Sequence, residues 1–462
     1  MQSLRHSMLR LWRCFVKSKY KPYPSYRDSG IEWLGEVPIG WDVRRLKTIL
    51  QERKEKNSPV KTKDILSLCM YRGVIPYSEK GNSGNKAKDD LTAYKLAYPN
   101  DIVLNSMNVV AGSVGLSKYF GAVSPVYYML YPRKSTDDIS YFNAIFQSES
   151  FQKSLIGLGN GILVKQSEKT GKLNTIRMKI SMDSLNDVLM PIPPFQEQQT
   201  IANYLDNATA KIDTLIEKQT KLIALLKEKR QAVISTAVTR GLDNTVAMKD
   251  SGVEWLGEIP ESWVLVSLGY ISNIDCGSTP NRNQPSYWNG NIPWIKTGEV
   301  KYSNITETEE CITEKGFANS SLRLAKKGTI LMAMYGQGVT RGRVAILHID
   351  ATYNQACVAM TFSSKVFNEY AKYFFIAAYS YIRDFGNETS QMNLNAAIIE
   401  KIKFLVPAKD EQKAIVEYLD IKISKIDKLI NKSTKAIDLL KEKRTTLISS
   451  AVTGKIDVRK AS

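Results

Sequence analysis

The sequence predicts an α+β chain with a pseudo-two-fold internal repeat: two globular regions and two long, antiparallel coiled-coil helices. Three observations carry this expectation. The tag DSGIEWLGEVP at 28–38 returns as DSGVEWLGEIP at 250–260, with nine of eleven letters identical and the other two exchanging Val and Ile. The stretch QEQQTIANYLDNATAKIDTLIEKQTKLIALLKEKRQAVISTAVT at 196–239 finds its partner in DEQKAIVEYLDIKISKIDKLINKSTKAIDLLKEKRTTLISSAVT at 410–453. Between tag and long segment, each copy holds a Gly- and aromatic-rich region with short β-like runs. The tags lie 222 positions apart and the long segments 214, so the first globular region is eight residues longer. A repeat of that size is a duplicated domain, not a solenoid.

The composition agrees with a large, folded, basic protein. At 462 residues the chain exceeds one ordinary core, and two or three domains are expected. Its 43% hydrophobic and 24% charged content is that of a globular chain. Lys and Arg outnumber Asp and Glu by 64 to 46, a formal charge of +18. That excess favours a polyanionic partner, nucleic acid first and an anionic membrane surface second. Cys14, Cys69, Cys276, Cys311 and Cys357 are scattered and form no CxxC pair, which suits a reducing compartment and argues against a disulfide framework or a structural zinc site. Two histidines, His6 and His348, leave little material for imidazole chemistry. The opening MQSLRHSMLRLWRCFVKSKY is interrupted by Arg10, Arg13 and Lys17, so it reads as a frayed basic leader rather than a secretory signal. No apolar run approaches the roughly 20 residues that span a bilayer.

Each long segment shows helical periodicity. Ile201, Leu205, Ala208, Ile212, Leu215, Gln219, Leu222, Leu226, Lys229 and Val233 fall at alternating steps of four and three, and Ile415, Leu419, Lys422, Ile426, Leu429, Ser433, Ala436, Leu440, Lys443 and Leu447 repeat the register. This is a coiled-coil seam. Pro193-Pro194 and Pro407 mark the starts, and Gly241 and Gly454 the stops. An amphipathic helix of that length must bury its seam, and the nearest partner is its twin, packed antiparallel about a pseudo-two-fold axis. The competing arrangement packs each helix on its own globular region. Antiparallel pairing would bring Gln219 and Ser433 near the middle as a register-setting polar pair.

The globular regions, about 40–190 and 262–400, share little beyond a strand start, DIVL at 101–104 and TILM at 329–332. A small-residue turn follows each, AGSVGLSKY at 111–119 and YGQGVTRGRVAI at 335–346. A repeated scaffold with divergent inserts implies that the inserts read different things. No catalytic constellation stands out. Gly171-Lys172 lacks the rest of a phosphate loop, GLGNG at 157–161 opens no nucleotide-binding unit, and Glu52-Arg53-Lys54 is an isolated triplet common in basic segments. What remains is binding material, with Trp288 and Trp294 read as core. In the second region Arg282, Asn283, Tyr287, Lys296, Gln337, Thr340, Arg341 and Arg343 stand among glycines and aromatics; in the first, Lys86, Lys88, Asn105 and Lys118 are the counterparts. Arg can pair with guanine and Asn or Gln with adenine in the major groove, while lysines mostly meet phosphate.

Taken in order, YPSYRDSGIEWLGEVP, PPFQEQQTIANYLD, the LLKEKR helices, DSGVEWLGEIP, GSTPNRNQPSYWNGNIPWIKTG and AKDEQKAIVEYLD closely resemble the specificity subunit of a type I restriction–modification enzyme, over nearly the whole chain. The resemblance implies an N-terminal extension at 1–27, disordered in part, and a first target-recognition domain at 28–192. A conserved helix at 193–240, a linker, tag and second target-recognition domain at 241–406, and a second helix and tail at 407–462 would follow. It implies a non-catalytic, sequence-specific DNA reader whose two domains each read half of an asymmetric, interrupted site while the helices set the spacing. The partners implied are double-stranded DNA, two adenine methyltransferase subunits and, in the full enzyme, restriction/translocase subunits, with no membrane. No cofactor is expected on this chain; S-adenosylmethionine, ATP and Mg2+ would sit on partner subunits. The implied compartment is a bacterial or archaeal cytoplasm. Against the family pattern, which begins near SKYKPYPSY, residues 1–17 are extra, and Val16 is a candidate internal start. Two other readings stay open: a stand-alone two-headed DNA-binding regulator without a methyltransferase partner, and a coiled-coil adaptor for proteins.

Overall fold

In the computed structural model, which describes residues 21–69, 72–81, 86–162, 177–336, 339–384 and 394–460, both tags fold into the same small hairpin. Tyr26–Asp28 pairs antiparallel with Glu36–Pro38, and Met248–Asp250 with Glu258–Pro260. The tag letters explain the turn. Asp28 and Asp250 accept the amides of Gly30 and Gly252, and the Ser29 and Ser251 hydroxyls accept those of Ile31 and Val253. Gly35 (φ 64°) and Gly257 (φ 58°) occupy left-handed backbone that a side chain would strain. Leu34 and Leu256 are buried, and Trp33 and Trp255 pack edge-on against Phe151 and Phe374. The tag is a packing module that opens each domain.

The chain forms two compact units, Met1–Lys218 with Ala436–Ser462, and Gln219–Lys435. The boundary falls inside both long helices, so the linear division at 193, 241 and 407 is not the division of packing. The leader 1–17, Val16, the Gly171-Lys172 pair and Gln337 lie outside the described residues. Tyr23 and Tyr26, assigned by sequence to the N-terminal extension, belong to the folded body: Tyr23 is buried and Tyr26 donates from Oη to the Gly454 carbonyl at 3.0 Å.

The first unit is built on a four-stranded antiparallel sheet. Its order across is Leu50–Arg53, Tyr127–Pro132, Ile102–Asn105, Val114–Leu116. The second has Ser272–Cys276, Cys357–Phe362, Ile330–Ala333, Val344–Ile346, the same first-fourth-second-third order. The two strand starts read from sequence therefore occupy one position in both sheets. Each region is also closed at its ends: Asp42–Arg45 pairs with Leu189–Ile192, and Val264–Ser267 with Lys403–Val406. The clasp brings the two ends of each region together. What is added to the shared sheet differs. The first unit adds a hairpin of Leu66–Cys69 with Gly73–Pro76, while the second adds Trp288–Ile295 between Glu310–Ile312 and Thr352–Tyr353.

The long helices run Phe195–Arg240 and Lys409–Val452, ending at Gly241 (φ 78°) and Gly454 (φ 70°). In the first unit Asp213 meets Arg444 at 3.0 Å and Glu197 lies 3.8 Å from Arg459, so the helix halves run antiparallel. In the second unit Arg230 meets Asp427 at 3.2 Å, the same ion pair one repeat over. Both packing arrangements weighed from sequence occur together. Ile201, Leu205 and Ile212 share one core with Leu447, Ile448 and Val452 and with the first domain's Tyr141 and Phe142. Ile415, Leu419 and Ile423 share another with Ile234, Val238 and the second domain's Tyr370 and Phe374.

The predicted seam faces inward at most of its positions but not at all of them. Leu205, Ile212, Leu226, Leu419, Ile426 and Ser433 are buried and Gln219 and Leu440 half-buried, but Leu215 and Leu429 are 47% and 48% exposed. Ile216, Ile223, Ile430 and Ile437 turn inward instead. Adjacent apolar pairs such as Leu215-Ile216 satisfy either phase of a three–four alternation, so periodicity cannot choose between them. The ion pairs place Arg230 and Arg444 where that spacing had put Lys229 and Lys443. Gln219 and Ser433 do not pair. In the register set by Arg230 and Asp427, Ser433 falls opposite residue 224, roughly one and a half turns from Gln219.

Candidate nucleic-acid interface

Each recognition region is pinned to its helix by one constellation used twice. Trp41 and Trp263, both buried, donate from Nε1 to Glu197 and Glu411 at 3.0 Å. The next residue, Gln198 or Gln412, is buried and bridges backbone. Gln198 accepts from the Asp138 amide and donates to the Pro193 carbonyl, both at 2.9 Å. Gln412 accepts from the Phe367 amide at 2.8 Å and donates to the Lys365 and Pro407 carbonyls at 2.9 Å. The buried Tyr141 and Tyr370 reach the far ends of the helices, donating to the Val452 and Val238 carbonyls at 3.4 Å. Burial and the Glu197 contact push the Tyr23 hydroxyl well above the ordinary phenol value, so it stays a donor. Sequence reasoning missed these anchors. Their signal was present: Trp41 and Trp263 keep the tag offset, and the Glu-Gln pairs keep the helix offset.

The predicted contact residues fall into distinct settings. In the second unit Arg282 lies over the rings of Trp288 (3.8 Å) and Trp294 (4.6 Å) and pairs with Glu310 at 2.6 Å. Lys296 meets Glu309 at 3.0 Å and Glu310 at 2.9 Å, and those carboxylates hold its ammonium above its usual value. Trp294 is core as expected, donating from Nε1 to the Ser278 carbonyl at 3.1 Å, and Trp288 does the same to the Asn281 carbonyl at 3.2 Å. Asn283 is exposed on that loop and Tyr287 half-buried in a one-turn helix, Pro285–Tyr287. Arg282 and Lys296 are thus brought together and neutralised by the same acidic residue.

Arg341 and Arg343 stand elsewhere, on the turn before Val344–Ile346, with Thr340 accepting the Arg343 amide through its carbonyl at 3.1 Å. Arg341 donates from Nη2 to the Arg383 carbonyl at 2.6 Å, and Arg343 lies 5.9 Å from the centre of the Tyr302 ring. In the first unit Lys86, Lys88 and Lys118 are exposed. Asn105 is half-buried, with Oδ1 accepting the Met107 amide at 3.0 Å. Asn105 and Lys118 lie at opposite ends of one strand pair, about 17 Å apart along it, so they do not form one contact. The Glu52-Arg53-Lys54 triplet is structural: Arg53 is sandwiched between Tyr98 and Tyr131 and bidentate to Asp101 at 2.9 and 3.1 Å. Among the described residues no group of three or more His, Cys, Asp or Glu side chains is placed to hold a metal ion.

Two domains of one plan, each clasped shut around its own insert and pinned to long helices, define a two-headed recognition scaffold. The chain belongs to the type I restriction–modification specificity family: the type I restriction modification DNA specificity domain matches it twice, at 38–225 and 260–439. It is similar to the putative type I restriction enzyme MjaX specificity subunit of Methanocaldococcus jannaschii, 23% identical over 92% of this chain and 96% of that one. The MjaVIII specificity subunit of the same organism is 24% identical over 92% of this chain and 94% of its own length. A chain solved in work on complex assembly and conformational transition of the type I R-M system matches the fold with a TM-score of 0.65. It is 13% identical, over 91% of this chain and 99% of that one. This is a specificity chain, not a catalytic one. No helix among the described residues is long and apolar enough to cross a membrane.

Proposed function

We propose that this chain is the DNA-reading component of a type I restriction–modification assembly, each unit reading one half of a bipartite asymmetric site. The observation that supports this reading is the duplicated scaffold with divergent inserts. One sheet order, one clasp and one Trp–Glu–Gln anchor recur, while the strands added to that sheet do not. A repeated frame that carries unlike inserts suits two readers with different targets. The long helices set the spacing between half-sites and dock two adenine methyltransferase subunits. Those subunits carry S-adenosylmethionine, and restriction/translocase subunits carry ATP and Mg2+. The excess of 64 basic over 46 acidic side chains suits a phosphate-rich partner.

The test is a genome-wide map of methylated adenines with and without this gene, followed by exchange of residues 40–190 for another family member's first domain. Methylation at a bipartite sequence should vanish with the gene, and the exchange should rewrite one half-site and leave the other. Rewriting of both halves would overturn independent reading; an unchanged map on deletion would overturn the assignment.

A further inference from the structure

Basic side chains in the second unit divide into those that meet carboxylates and those that do not. Arg282, Lys296 and Lys326 have acidic partners at 2.6–3.0 Å, and Arg323 pairs with Asp275. Arg341, Arg343 and Arg383 have none among the described residues, although all three are half-buried and gathered in one place.

The frame around them is braced. Arg341 Nη2 donates to the Arg383 carbonyl at 2.6 Å, tying the turn to the helix Tyr379–Asp384. Tyr379 donates from Oη to the Val339 carbonyl at 2.6 Å and packs edge-on against Tyr302, ring centres 6.1 Å apart. Arg343 and Arg383 lie 5.9 and 5.5 Å from the centres of the Tyr302 and Tyr379 rings. Arg343 Nε is buried with no hydrogen-bond partner among the described residues. No carboxylate among the described residues offsets the charge of these three half-buried guanidinium groups, and the aromatic faces offset only part of the cost of holding them together. An anion would supply the counter-charge that the described residues do not.

We infer that Arg343 and Arg383 form a phosphodiester site for the DNA backbone, with Arg341 as the positioning residue that joins the turn to the helix. The inference rests on the DNA-reading function proposed above. A base-reading arginine must extend from a loop into a groove, whereas these guanidinium groups are held back against tyrosine rings. A projecting phosphate can come to them, and its oxygens match the guanidinium fork. Arg282, already stacked on Trp288 and paired with Glu310, lacks that vacancy.

The experiment uses the full chain in its native complex, with a duplex carrying the methylated sequence and an unrelated duplex of equal length. Arg343→Gln and Arg383→Gln should each weaken both duplexes by the same factor, about tenfold near 0.15 M salt. Each should also flatten the slope of log affinity against log salt by about 0.9, while the methylated sequence stays the same. Arg383→Lys should keep most of the slope, and equal thermal melting of the variants guards against simple unfolding. A changed second half-site with an unchanged slope would make these residues base readers and overturn the inference. So would unchanged affinity for both duplexes, or variants that lose only binding of inorganic phosphate, measured calorimetrically. If instead the wild-type complex showed no preference for its methylated sequence, the proposed function itself would fail.

Discussion

Replacing Gln412 by Leu should uncouple the second recognition region from its helix. The side chain is fully buried; it accepts from the Phe367 amide at 2.8 Å and donates to the Lys365 and Pro407 carbonyls at 2.9 Å. Leu has similar volume, so the cavity contribution is small and the polar loss dominates. Three neutral hydrogen bonds contribute about 0.5–1.5 kcal/mol each, and a stranded buried amide or carbonyl costs about 1–3 kcal/mol. With partial relaxation the total is about 3–5 kcal/mol. Gln198, with two such bonds, should cost less on the same substitution, about 2–4 kcal/mol. Because two units need not unfold together, the assay is hydrogen exchange in the helices Asn368–Ala377 and Ile139–Gln147, which report each unit separately. Gln412→Leu should lower the opening free energy of Asn368–Ala377 by the larger amount and leave Ile139–Gln147 nearly unchanged. A loss below about 1 kcal/mol would refute the claim that this glutamine holds the region in place. Gln412→Glu separates charge from shape: it keeps an acceptor for Phe367 but sets a carboxylate against two carbonyls, and should be no milder than Leu.

Other consequences can be checked on the same protein. Trp263→Phe removes the Nε1 donor to Glu411 while keeping most of the ring, and should cost about 1.5–3 kcal/mol in urea unfolding. Ile212→Ala should cost about 2–5 kcal/mol, whereas Leu215→Ala, on the exposed side, should stay within about 0.5 kcal/mol; equal losses would restore the seam phase read from sequence. Burial raises Glu310, but hydrogen bonds from Lys296 and Arg282 outweigh it and leave its carboxyl below the ordinary value. Its folded value is thus below its unfolded one, so its contribution is present above about pH 4.3 and is lost as pH falls through the folded value. For so exposed a pair, Glu310→Gln should cost under about 1 kcal/mol at pH 6 and nothing near pH 2, read by thermal melts. Burial pushes the Cys357 thiol up to about 12, so iodoacetamide at pH 8 should modify the exposed Cys276 and spare Cys357 until the protein unfolds.

Much of the architecture was legible before any coordinates. Tag, strand start, helix and Gly stop recur in the same order, and a repeat in letters forces a repeat in local structure, because turns, caps and periodicity depend on near neighbours. The hairpin at 28–38 follows from Asp28, Ser29, Gly30 and Gly35 alone. The candidate contacts were less legible. Arg282 and Arg343 look alike in sequence, each among glycines and aromatics, yet one is neutralised by Glu310 and the other has no acidic partner among the described residues. Arg383, forty residues from the nearest predicted contact, carried no signal at all.

The sequence by itself determined that the protein is a duplicated scaffold of two globular regions and two long helices carrying unlike inserts. Tertiary structure alone decided which face of each helix is inside, which arginines meet a carboxylate among the described residues, and that the compact units divide the helices at Lys218 and Lys435. The physical reason is one of range. Periodicity specifies a stripe but not its phase when Leu215 and Ile216 are both apolar. Phase, charge pairing and unit boundaries are set by groups two hundred residues away, such as Arg444 beside Asp213 and Val452 beside Tyr141.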